Sequence, residues 1–221
     1  PSGKRGPNFS SWTNEKMGGL HPGSDDDDSH EVVNYYVNAQ ATGSKSLPHS
    51  LVARRVAAEG TVLLKNVNNT LPLSRSAAGR KGVYRVGIYG EDAGPGDGPN
   101  VCADRACNQG TLGSGWGSGA VEFPYLVSPW EALRTAWHSE TSDVRGFLGN
   151  DVGLKNMIEQ DLCLVFANSD GGEGFVHDDD VWGDRNNLDL QHSGAQLIER
   201  VAAHCGGGQG KTVVVIHSVG P

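Results

Sequence analysis

Two hydrophobic rhythms alternate along the 221 residues. One is the 3.6-residue spacing of amphipathic helices. The segment SLPHSLVARRVAAEG places Leu51, Val52 and Val56 on one stripe, with Ser46 as a capping residue, Pro48 in the first turn and Gly60 at the end. SPWEALRTAW (128–137) has a Ser cap, Pro at the first helical position and an early Glu, so it starts another helix. DVGLKNMIEQ and SGAQLIERVAAHC add two more, the last ending at a glycine run.

The other rhythm is the short, continuous apolar run. TVLLKN, VYRVGIYG (83–90), LCLVFAN (162–168) and KTVVVIHSVG read as strands, and the last two are apolar throughout rather than alternating. Strands that are hydrophobic on both sides and separated by helices predict an α/β fold, a three-layer sandwich around a mostly parallel sheet. The chain stops directly after the last strand, with no helix to cover it, so the sheet is expected to be incomplete at its C-terminus and the chain to be a piece of a longer one. Residues 1–46 lack either rhythm and are expected to form a connection from a preceding domain, with 47–221 as the sandwich domain. The run Asp25 to Asp28 repels itself and reads as solvated loop, since consecutive acids lack the alternating ligand spacing of calcium loops.

Composition narrows the partners. With 32 glycines, 10 prolines and only 20% charged residues, long loops between core elements are expected. A net charge of −8 without any Lys/Arg cluster argues against nucleic acid and anionic membranes. No stretch of about 18 apolar residues is present, and the opening PSGKRGPNFSSW is too polar to read as a signal peptide. Cys102 and Cys107 lie in a loop suited to a local disulfide, whereas Cys163 starts an apolar strand and Cys205 ends a helix, which reads as two buried free thiols. Two glycosylation sequons, at Asn8 and Asn68, together with the loop cysteine pair point to a secreted, extracellular protein.

In a parallel sheet, ligands sit beyond the carboxyl ends of the strands. Two loops on that edge, residues 90–119 and 168–187, are far longer than an ordinary βα connection. Neither contains a G-x-G-x-x-G order that opens a helix, a P-loop lysine or a G-x-S-x-G elbow. His217-Ser218 at a strand end is a weak nucleophile signal, and His177 with Asp178 to Asp180 resembles a metal cluster in composition only; no metal or other cofactor is expected. What remains is Glu173, set between glycines in DGGEGF, with the aromatics Phe175 and Trp116 in the same two loops. Aromatic faces pack on the C–H faces of sugar rings, and protonating a glycosidic oxygen requires a carboxylic acid of raised pKa. Asp170, Asp178 and the neighbouring aromatics could supply that shift through like charge and desolvation.

Taken together, HSLVARRVAAEGTVLLKNVNNTLPL, GEDAG, CADRACNQGTLGSGWGSG, FPYLVSPWEAL, GEGF and GDRNNLDL resemble the second domain of fungal glycoside hydrolase family 3 β-glucosidases, and PNFSSW resembles the end of the barrel domain before it. The likeness runs from Pro7 to Pro221 and is carried by the combination of motifs. It implies retaining hydrolysis of terminal β-D-glucosyl residues, such as those of cellobiose and short cello-oligosaccharides. The nucleophilic Asp would stand on an N-terminal barrel, the rest of the same enzyme, and a Glu acid/base on a loop of the sandwich. By motif the acid/base falls on Glu173, Phe175 stands where a Tyr is usual beside the leaving-group subsite, Trp116 matches a tryptophan near that subsite, and Cys102 and Cys107 match a loop disulfide. The nucleophile's Ser-Asp-Trp motif is absent, and VHDDDVW replaces a loop richer in Gly and Asn. A non-catalytic sugar-binding or scaffold module therefore stands as the rival reading.

Overall fold

The computed structural model describes residues 49–74, 82–96, 109–117, 126–137, 140–173, 177–178, 181–182 and 184–218. These fall into two units, one ending at Val67 and one beginning at Asn68. In the first, helix α1 (His49–Gly60) forms where the stripe of Leu51, Val52 and Val56 predicts it and ends at Gly60. An i,i+4 pair joins Arg55 Nε to Glu59 Oε1 at 2.7 Å. The strand expected at TVLLKN does not form. Val62, Leu63 and Leu64 are exposed and residues 61–66 carry no regular structure. A strand exists only where a neighbour completes its hydrogen-bond ladder, and among the described residues none pairs with this run.

The second unit is built on four parallel strands in the order β2-β1-β3-β6. They are β1 (Tyr84–Tyr89), β2 (Ser142–Phe147), β3 (Leu162–Ser169) and β6 (Lys211–Ser218); a two-stranded antiparallel pair, β4 (His177–Asp178) with β5 (Val181–Trp182), stands apart from them. Helices α2 (Pro129–Ala136), α3 (Leu154–Ile158) and α4 (Gly194–His204) connect the strands. The start of α2 carries a full capping box: the Ser128 side chain accepts the Glu131 N–H, and the Glu131 carboxylate accepts the Ser128 N–H. These bonds to Ser128 hold the Glu131 carboxyl below the usual range.

Both faces of the sheet are covered, which gives the expected three layers. On one side Tyr89, Cys163 and Val165 pack with Val152, Met157, Leu197 and Val201 of the α3 and α4 region. On the other, Val86, Ile88, Leu162, Leu164 and Phe166 pack with Trp130, Leu133 and Trp137 around α2. The alternate residues of β3 thus feed two cores, and all eight of its positions are buried. Burial pushes the Tyr89 hydroxyl far above its ordinary pKa, and the hydroxyl donates to the Asn156 carbonyl at 2.8 Å.

Two expectations change, and one strand was not anticipated. KTVVVIHS is not fully buried: among the described residues it pairs with β3 alone, and Val214 is 39% and Ile216 48% exposed. SDVRGF, which has no apolar run, is nonetheless β2, its Asp143 and Arg145 paired at 2.7 Å. Cys163 and Cys205 are not free thiols. They form a disulfide across 42 residues with Cα atoms 6.1 Å apart. Cys163 points from β3 toward the α4 side, and the chain leaving α4 turns Cys205 into that same core.

Candidate functional site

Strand order defines where a site can be. The chain leaves β1 for β2 on one side and later returns to β3 on the other, so the carboxyl ends of β1 and β3 flank the topological switch point. The two ends lie close because β1 stops at Gly90. Its φ is +105°, and a Cβ there would meet the Phe166 carbonyl oxygen at 2.0 Å. Both long loops identified from the sequence leave from this crevice, one after Gly90 and one after Ser169.

The end of β3 is clamped from outside. Gln191 accepts the Asp170 N–H at 2.8 Å and its side-chain amide donates to the Asp170 carbonyl at 3.4 Å, while its own N–H bonds the Asn168 carbonyl at 3.1 Å. The Ser169 hydroxyl donates to the Asp189 carbonyl at 3.2 Å. Asp170 itself is 1% exposed. Desolvation raises its pKa, opposed by the Trp116 indole N–H, by the charge of His192 and by Gln191. Trp116 Nε1 and Asp170 Oδ2 are both buried without a well-formed hydrogen bond, so the indole acts on the carboxyl at looser than hydrogen-bond geometry.

Glu173 follows three residues later, half-buried. The other loop seats it. The Trp116 N–H donates to the Gly171 carbonyl at 3.2 Å, and the Trp116 ring lies so close over Gly172 that a Cβ there would stand 2.1 Å from it. No residue but glycine fits at 172. A Cβ on Gly117 would in turn lie 3.2 Å from Glu173 Cγ and backbone N, so the tip of the tryptophan loop packs directly on the acid.

The structure places Glu173 and Trp116 as neighbours in two adjoining loops. The ring is 2% exposed and packs under the acid loop, so it does not present an open stacking face. Phe175, Asp180 and the cysteine pair Cys102 and Cys107 lie outside the described residues, as does Asn8. Asn68 is exposed in a left-handed turn with φ 53°. Among the described residues no three His, Cys, Asp or Glu side chains converge as metal ligands would.

A second polar cluster was not anticipated. Asp92, 2% exposed in the single 3-10 turn Glu91–Ala93, sits beside Asn168, Leu112 and His217 at the same end of the sheet. The sequence signal for it was present in GEDAG and HSVG, two strand ends that carry polar side chains where a turn would suffice.

Residues 61–221 match the model of the glycosyl hydrolase family 3 C-terminal domain. Across its whole length the chain is 62% identical to a probable beta-glucosidase E of Aspergillus clavatus, and 97% of it is 42% identical to beta-glucosidase 1 of Aspergillus aculeatus. Among solved structures, a glycoside hydrolase family 3 beta-glucosidase from Neurospora crassa superposes with a TM-score of 0.74 over 97% of the chain at 40% identity. The chain spans 21% of the Aspergillus clavatus relative and 24% of the Neurospora crassa chain. The family model covers most of these residues and the α/β architecture agrees, so the chain belongs to glycoside hydrolase family 3 and carries its C-terminal domain.

Proposed function

We propose that this chain supplies the acid/base half of the active site of a retaining β-glucosidase, with Glu173 as the proton donor to the leaving group. Residues 47–221 are read as the α/β sandwich domain and 1–46 as the connection from a barrel domain that brings the nucleophilic Asp. One observation carries the reading: Glu173 stands half-buried beyond the carboxyl end of β3, beside the switch point, packed against Gly117. The names of the relatives, beta-glucosidases acting within the same family, support it.

In the first step Glu173 gives its proton to the glycosidic oxygen as the C–O bond breaks, and the barrel's Asp takes the glucosyl group. In the second, the Glu173 carboxylate removes a proton from water, which attacks the glucosyl-enzyme and restores both groups. Terminal β-D-glucosyl residues of cellobiose and short cello-oligosaccharides are the proposed substrates, with Phe175 as an aromatic wall at the leaving-group side. The reading also takes the protein to be secreted, with Cys102 bonded to Cys107 and glycans on Asn8 and Asn68. The buried Cys163–Cys205 disulfide and the exposure of Asn68 support that environment.

Glu173→Gln in the complete enzyme carrying this segment tests the central claim. Turnover of cellobiose should fall by roughly 10²–10⁴-fold, the usual contribution of a general acid, while formation of the glucosyl-enzyme from dinitrophenyl glucoside, which departs without a proton, should change far less. Equal losses on both substrates would take the acid role from Glu173. No loss on either would favour the non-catalytic module.

A further inference from the structure

We propose that Asp92 is a positioning residue for the acid/base loop, holding the Trp116 loop in the place from which it seats Glu173. The proposal rests on the reading of Glu173 as acid/base and goes beyond it by naming what sets that residue's position.

Asp92 joins four pieces of chain at the switch point. Its Oδ1 accepts the Leu112 N–H at 2.9 Å and, more weakly, the Asn168 side-chain amide at 3.4 Å. Its Oδ2 stands 2.7 Å from Nδ1 of His217, off the line of a good hydrogen bond. The Asp92 main-chain carbonyl accepts the Thr111 hydroxyl, and the Thr111 N–H reaches the Gly94 carbonyl at 3.1 Å. Strands β1, β3 and β6 therefore meet the start of the tryptophan loop at one buried carboxylate.

The link from there to Glu173 is short and has little slack. Three residues lie between Leu112 and Trp116. The Trp116 N–H is bonded to Gly171, its ring leaves no room for a side chain at 172, and Gly117 abuts Glu173. A close-packed chain of this kind transmits a displacement, because packed interiors have few voids to absorb it. Without the Asp92 carboxylate the Leu112 N–H and the His217 imidazole lose their partner together, and the loop that props Glu173 loses its inner anchor. A buried carboxylate is costly to keep, and the Leu112 main-chain N–H and the Asn168 amide on its Oδ1 offset part of that cost.

A general acid displaced from the leaving oxygen costs most where protonation is needed most. In the complete enzyme, Asp92→Ala should lower kcat on cellobiose by about tenfold, part of the general-acid contribution, and change glucosyl-enzyme formation from dinitrophenyl glucoside by no more than about twofold. Asp92→Asn should recover most of the loss, because an amide oxygen can still accept the Leu112 N–H. In the Glu173→Gln background, Asp92→Ala should add almost nothing, since the group it positions is already gone. If Asp92→Ala is not recovered folded, Thr111→Val deletes only the hydroxyl bond between the loop and the Asp92 turn and must shift the substrate ratio in the same direction. Equal losses on both substrates, or a loss that adds in full to that of Glu173→Gln, would overturn the proposal while leaving the acid role of Glu173 intact. A Glu173→Gln enzyme without substrate selectivity would overturn both.

Discussion

Strands β3 and β6 run side by side in register and are written in nearly the same apolar letters, LCLVFANS and KTVVVIHS, yet their environments differ sharply. β3 is flanked by β1 and β6 and covered by helices on both faces, and every residue of it is buried. β6 has one described neighbour. Its Val213 and Val215 pack into the core around α2, but Val214 and Ile216, on the α4 side, are 39% and 48% exposed. Similar apolar runs thus give a keystone in one place and a half-covered strand in the other among the described residues. Apolarity sets how a strand can be buried; its neighbours set how far it is.

The sharpest test of the difference uses one residue type at two aligned positions. Val165 and Val214 are register partners, and Val165 is fully buried. Val165→Asp would place an unpaired carboxylate in a dry core, a cost of several kcal/mol against a total stability of about 5–15, so the protein should fail to fold. Val214→Asp should cost on the order of 1 kcal/mol, since much of that side chain is already in water. Denaturation midpoints and soluble yield of the two variants decide the matter. Similar losses at both sites would mean that β6 is as enclosed as β3.

A second difference is covalent. β3 is pinned to the end of α4 by Cys163–Cys205, whereas the described part of β6 has no such tie. Closing a loop of 42 residues removes chain entropy worth about 4 kcal/mol from the unfolded state. The double variant Cys163→Ala with Cys205→Ala should therefore unfold at markedly lower denaturant. A midpoint unchanged by the double variant would show that packing alone holds β3.

The smallest expected effect concerns the polar ends of the two strands. β3 leads into the buried Asp170, whereas β6 closes on the partly exposed His217. Desolvation raises the Asp170 pKa, so the folded state holds that proton more tightly than the unfolded chain does. The stability this gives is complete below the ordinary carboxylate value and is lost as pH rises through the folded-state value. Asp170→Asn cannot ionise. It should melt at a higher temperature than the parent near neutral pH, with the gap closing below about pH 4. A gap that widens on acidification would reverse the assignment.

Much of the framework was legible because its signals are local. Ser128 with Glu131 marks the start of α2, the Leu197 and Val201 stripe marks α4, and the apolar runs of β1 and β3 mark strands; each lies within a few residues of itself. TVLLKN carries the same signal and forms no strand, while SDVRGF carries almost none and does, because pairing depends on what stands alongside. The candidate site divides the same way. Glu173 could be picked out by its glycine-flanked loop and by the family pattern, but nothing near residue 116 says that the indole turns inward onto Gly172.

The amino-acid sequence by itself determined the α/β class, the helices, the core strands and the acid-bearing loop, since hydrophobic period, caps and turn residues act over one or two turns of chain. Only the tertiary structure decided the order of the described strands, that Cys163 meets Cys205, and that Asp92 gathers Leu112, Asn168 and His217. Those partners are between 20 and 125 residues from one another or from Asp92, and contacts at such separations are set by the order and twist of the whole sheet rather than by any short stretch of chain.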